Sequence, residues 1–99
     1  MFTVHTTDVF DAWFSGLRDA RAKARIEARI RRAELGNLGD AKFFDGIGEM
    51  RIDYGPGYRL YLLQSGLAVY LLLCGGDKST QDDDIKTAQR LARELRKQP

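Results

Sequence analysis

Apolar positions change period several times along this chain, and each change marks a new element. A short β-like run over Phe2–Thr6 is followed by Val9, Phe10, Trp13, Phe14 and Leu17, whose three- and four-residue spacing predicts a helix with one apolar face. Asp8 is the expected cap of that helix, with Asp11 in its acidic first turn. A second helix is predicted from a cap at Asp19 to Leu35, with Ala22, Ile26, Ile30 and Ala33 toward the core and Gly36-Asn37 as the stop. The two form a helical hairpin. From Gly36 to Gly48 glycines interrupt any period, so this stretch is expected to be a loop that leads Phe43 and Phe44 toward a strand. Period two then takes over in Glu49–Tyr54, Tyr58–Gln64 and Leu67–Cys74, with turns at Gly55-Pro56-Gly57 and Ser65-Gly66. That predicts a three-stranded antiparallel meander. Beyond Gly75-Gly76, Ser79 or Thr80 is expected to cap a last helix carrying Ile85, Ala88, Leu91, Ala92 and Leu95. The expectation is one α+β domain over residues 1–99, an antiparallel sheet packed on a helical hairpin.

Strand parity assigns the side chains to faces. If the loop at Gly55–Gly57 pairs Tyr54 with Tyr58, Asp53 lies opposite Arg59, Ile52 opposite Leu60 and Arg51 opposite Tyr61. A two-residue turn at Ser65-Gly66 then sets Leu62 opposite Val69, Tyr61 opposite Tyr70 and Arg59 opposite Leu72. One face becomes apolar, with Met50, Ile52, Leu60, Leu62, Val69, Leu71 and Leu73. The other gathers Glu49, Arg51, Asp53, Arg59, Tyr61 and Tyr70, and Lys78 leaves the adjacent strand nearby.

Composition narrows the chemistry. At 43% hydrophobic and 30% charged residues the chain is an ordinary globular one, without a run long enough to span a membrane or the start of a signal peptide, so a cytoplasmic location is expected. A single cysteine, Cys74, and a single histidine, His5, make no zinc set, and no metal or cofactor is expected. Lys78-Ser79 lacks the upstream glycine spacing of a phosphate-binding loop. The net charge of +2 hides a concentration of cations: Asp19–Leu35 holds six basic residues against three acids. Of these, Arg21, Arg25, Arg29 and Arg32 form a stripe flanking the core face of the second helix, which suits a solvated face, RNA or an acidic partner segment. Arg51, Asp53 and Arg59 suit either cross-strand ion pairs of about 1 kcal/mol or less, or, with Lys78, Tyr61 and Tyr70, a single-stranded nucleic acid whose phosphates meet cations and whose bases stack on rings. Asp82-Asp83-Asp84 matches a helix N-terminus better than a metal cluster.

The segments Ile26–Ile30, Gly36-Asn37-Leu38-Gly39-Asp40, Glu49-Met50-Arg51-Ile52, Gly55-Pro56-Gly57-Tyr58-Arg59-Leu60-Tyr61 and Gly75-Gly76-Asp77-Lys78-Ser79-Thr80-Gln81 together resemble the RelE/ParE toxin superfamily. More closely, they resemble its HigB-like addiction-module killer proteins. The resemblance covers nearly the whole chain and implies a RelE-like β-α-α-β-β-β core with a closing helix. It implies the toxin of a bacterial type II toxin–antitoxin pair: a metal-free, ribosome-dependent messenger RNA endonuclease, or, on the ParE branch, a DNA gyrase inhibitor. A non-catalytic module binding RNA or antitoxin is the third reading. On the ribonuclease reading the catalytic residues are Arg59, Lys78 and Arg51, with Tyr61, Tyr70, Arg21, Arg25, Arg29 and Arg32 contacting RNA. The partners implied are messenger RNA, the ribosome and a helix-turn-helix antitoxin. The C-terminal tyrosine that orients RNA in better-known RelE proteins has no counterpart here, which leaves the general base among His5, Asp77 and Lys78.

Overall fold

The computed structural model describes residues 1–97. It is an α+β fold with five strands and three helices: β1 (Thr3–Thr6), α1 (Asp8–Gly16), α2 (Ala20–Glu34), β2 (Ala41–Phe44), β3 (Ile47–Ile52), β4 (Tyr58–Ser65), β5 (Val69–Asp77) and α3 (Gln81–Arg96). The sheet is mixed, in the order β1-β5-β4-β3-β2, with β1 parallel to β5 and the other pairs antiparallel. The three-strand meander is present as β3-β4-β5, and a strand is added at each edge.

Capping chemistry explains the helix starts. Thr7, rather than Asp8, caps α1: its hydroxyl accepts from the Phe10 N–H and donates to the Leu73 carbonyl, tying the helix to β5. Asp19 caps α2 as expected, accepting from the Arg21 and Ala22 N–H groups, and Gly36 closes it at φ +91°. Thr80 is the N-cap residue of α3, one of the two expected, but its side chain makes no capping bond; Asp77 caps the single 3₁₀ turn, Lys78–Thr80, that runs into α3, accepting from the Ser79 N–H.

The stretch Gly36–Gly48 is not all loop. Asp45 and Gly46, at φ +48° and +83°, form a two-residue hairpin turn that pairs Phe44 with Ile47. The β3–β4 register differs by two residues from the expected one: Ile52 pairs with Tyr58, Arg51 with Arg59 and Glu49 with Tyr61. A shift of two preserves parity, so these residues keep their expected faces. Across the next hairpin parity does change. Ser65 pairs with Val69 over a three-residue loop, Tyr70 with Gln64 and Leu71 with Leu63, and an irregularity between Tyr61 and Leu62 then brings Cys74 opposite Tyr61.

The sheet therefore has two apolar faces. Met50, Ile52, Tyr58, Leu60, Leu62, Tyr70 and Leu72 pack with Phe10, Ala22, Ile26 and Ala33 of the helical hairpin. Ile47, Tyr61, Leu63, Leu73 and Cys74 lie on the other face, under Ala88 and Ala92 of α3. Gly75 and Gly76 sit inside β5 and not in a turn. A side chain at Gly75 would enter the Trp13 ring, and one at Gly76 would meet Asp84 and Thr80.

Candidate functional site

At the open end of β3 and β4 the polar part of the α3-side face remains uncovered. A cleft of about 510 Å³ lies there, lined by Asp40, Arg51, Asp53, Gly57, Arg59 and Lys78 among others. Arg51 and Arg59 are directly opposed across the two strands. Like charges in that position repel, so the pairing favours an anion between or above them. Lys78 is exposed on the 3₁₀ turn that follows β5, and Gly57, in the left-handed region at φ +82°, lies against its stem. The three residues expected to act together, Arg51, Arg59 and Lys78, thus share one cleft.

Charge in the cleft is only partly compensated. Arg51 donates to the Asp40 carboxylate at 2.8 Å, but the two side chains are 40% and 59% exposed. A pair this wet contributes about 1 kcal/mol or less, so Arg51 can exchange Asp40 for a phosphate at small cost. Neither Arg59 nor Lys78 makes an ion pair among the described residues. Further along β3 from Arg51, Glu49 is fully buried and accepts from the Gln81 amide at 2.8 Å.

Several expected contacts are redirected. Tyr61 is fully buried under α3, and its phenol is pushed upward in pKa by burial first and then by the charges of Glu49 and Asp84, so it stays neutral and out of reach of a base. Tyr70 faces the helical hairpin, buried and stacked on Phe2 with ring centroids 4.6 Å apart, because the β5 register turns it away from Arg59. Arg29 is also buried. Its guanidinium donates to the carbonyls of Arg51 at 2.6 Å, Leu38 at 2.8 Å and Asp40 at 3.2 Å, and Gly39 packs on its plane. It is a structural staple that fixes the Gly36–Asp40 loop and the backbone of the cleft, and burial draws its pKa down from the ordinary arginine value. Tyr61, Tyr70 and Arg29 are therefore corrected from RNA contacts to core residues. Arg21, Arg25 and Arg32 remain exposed on α2.

The candidate bases are dispersed. His5 lies on β1 opposite Leu71 and does not line the cleft. The Asp77 carboxyl is held below its ordinary pKa chiefly by the Ser79 hydroxyl and then by the Ser79 N–H, which makes it a cap and a poor proton acceptor. Lys78 alone of the three lines the cleft. Glu49 and Asp53 were expected on the polar face without a catalytic role; Asp40 and Tyr54 were not among the expected site residues, and of these Asp40 had a cue, at the end of Gly36–Asp40. Tyr54 donates its hydroxyl to Asp19 at 3.1 Å, and the Arg25 guanidinium lies 4.7 Å from the centre of its ring.

Among the described residues no group of three or more His, Cys, Asp or Glu is placed to hold a metal, and no helix is long and apolar enough to cross a membrane. No family model matches the chain. An uncharacterized protein of Haemophilus influenzae is 57% identical over 93 residues, an alignment that covers 93% of this chain and 94% of that protein.

Proposed function

The chain belongs to one family with the Haemophilus influenzae protein, and for this family member we propose the role of toxin in a type II toxin–antitoxin pair, acting as a metal-free, ribosome-dependent messenger RNA endonuclease of RelE-like fold. The observation that carries this reading is the convergence of Arg51, Arg59 and Lys78 on one cleft. Their cationic groups suit a phosphodiester, and the opposed arginines favour the extra negative charge of its transition state. In the reaction the ribose 2′-hydroxyl releases its proton to solvent water as its oxygen attacks the adjacent phosphorus, and the bond to the 5′-oxygen breaks and that oxygen is protonated, leaving a 2′,3′-cyclic phosphate and a 5′-hydroxyl. Arg59 stabilises charge on the phosphate oxygens, Arg51 orients the phosphate, and Lys78 binds it or supplies the proton to the departing oxygen. A helix-turn-helix antitoxin is the proposed partner, neutralising the toxin by covering this cleft or by blocking entry to the ribosome.

Primer extension on a defined messenger RNA in a cell-free translation reaction, with and without ribosomes, tests the proposal. Cuts are expected only with ribosomes, and Arg59→Ala and Lys78→Ala should abolish them while changing stability by less than about 1 kcal/mol. No cuts from protein that still arrests growth would overturn the ribonuclease reading; DNA breaks and failed supercoiling would then point to gyrase.

A further inference from the structure

Burial of Tyr61 and Tyr70 leaves the cleft without the aromatic surface that a nucleobase would need, and the fold supplies a different one beside it. Tyr54 stands directly before the Gly55–Gly57 loop that lines the cleft. Its ring packs against the core on the side of the helical hairpin, and its hydroxyl donates to Asp19 at 3.1 Å, at the start of α2. The Arg25 guanidinium lies over its ring at 4.7 Å, while Arg25 itself is exposed and makes no ion pair among the described residues. A guanidinium held this way presents a flat, cationic outer face, a surface on which a heterocyclic base stacks. Arg25 and Arg32 also line a groove of about 370 Å³ that shares Ile52 and Asp53 with the cleft. Arg25 and the phosphate-binding cations thus line adjoining depressions, with Tyr54 behind Arg25.

We propose that Tyr54 and Arg25 form a stacking platform for the nucleobase next to the phosphate held by Arg51, Arg59 and Lys78. This rests on the ribonuclease reading and assigns its base-binding subsite. The platform consists of two layers: Tyr54 supports and orients Arg25, and Arg25 meets the base. Planarity is therefore the property that matters at position 25, and an aromatic ring, not its hydroxyl, at position 54.

The test uses the full chain and a defined messenger RNA in the cell-free translation reaction, with cut sites and rates read at nucleotide resolution as protein concentration is varied. Arg25→Lys keeps the charge and loses the plane; Tyr54→Ala loses the ring; Tyr54→Phe keeps the ring and loses the tether to Asp19. The platform predicts that Arg25→Lys and Tyr54→Ala raise the half-saturating concentration about fivefold or more, the scale of one base stack, and flatten the base preference of the cut sites. Tyr54→Phe should retain the wild-type pattern. If wild type cuts and Arg59→Ala does not, but Arg25→Lys and Tyr54→Ala match wild type, the platform is overturned and the ribonuclease reading stands. A loss in Tyr54→Phe as deep as in Tyr54→Ala would also overturn it, since the tether would then be the whole role of the residue. Absence of cuts by wild type overturns both.

Discussion

Replacing Arg29 by alanine separates a structural staple from a nucleic-acid contact. The guanidinium makes three charge-assisted bonds, to the carbonyls of Arg51, Leu38 and Asp40. Bonds to a charged donor contribute about 1.5–3 kcal/mol each when the acceptor is left unsatisfied by their loss. Leu38 and Asp40 belong to a partly exposed loop and can be rehydrated, so their share is at the low end or below it. The Arg51 bond, 2.6 Å long and anchored on β3, carries most of the loss, and packing of the arginine stem adds to it. The sum is about 3 kcal/mol, which for a domain of this size lowers Tm by roughly 12–24 °C. Urea unfolding followed by circular dichroism measures it directly, with a fall in midpoint and an unchanged slope expected. Arg29→Lys should recover less than half, because one ammonium cannot reproduce a fork directed at three diverging carbonyls. An Arg29→Ala protein within about 0.5 kcal/mol of wild type would refute the staple and return Arg29 to the solvent-facing set.

Two further outcomes follow from the packing and capping. Gly75→Ala drives a methyl group into the Trp13 ring and should cost about 1–3 kcal/mol in a thermal melt, with partial recovery when Trp13→Phe is added. Asp19 is held below the ordinary carboxyl pKa of 3.8 chiefly by the Ala22 N–H, and Asp77 chiefly by the Ser79 hydroxyl. A depressed folded pKa stabilises above the ordinary value and is lost as pH falls through the folded one. Calorimetry from about pH 6 down to about pH 3 should therefore show a smaller fall in Tm for the Asp19→Asn, Asp77→Asn double variant than for wild type, and equal falls would refute the capping account.

Local chemistry was legible in the sequence wherever it decided the structure. The caps at Asp19 and Gly36, the meander and the last helix follow from periodicity and turn residues, and Arg51, Arg59 and Lys78 share the cleft expected of them. What escaped was how the turns close and how the elements pack. The two-residue shift at β3–β4 depends on how Gly55–Gly57 closes, but it left parity and the site intact. The longer turn after Ser65 reversed parity, which moved Tyr70 into the core and Leu71 and Leu73 beneath α3. Tyr61 kept its face and was lost to solvent because α3 covers that face, a fact of tertiary packing. Asp45-Gly46 was a readable hairpin signal obscured by the surrounding glycines. The edge strand β1 was legible as the β-like run Phe2–Thr6, but its parallel pairing has no local signal, since its partner β5 is far away in sequence.

That edge has a consequence for synthesis. Thr3 is in register with Val69, and β1 reaches the sheet only through β5, so β1 cannot join the sheet until β5 is in place. A chain emerging from its own ribosome carries β1 and α1 without their partner until residues near Val69–Asp77 have cleared the exit. Such long-range closure slows folding. The opposed Arg51 and Arg59 are aligned by β3–β4, but Lys78 joins them only after β5 has paired with β4. The complete cationic cluster therefore requires β5, and a nascent chain that has not yet paired β5 lacks it.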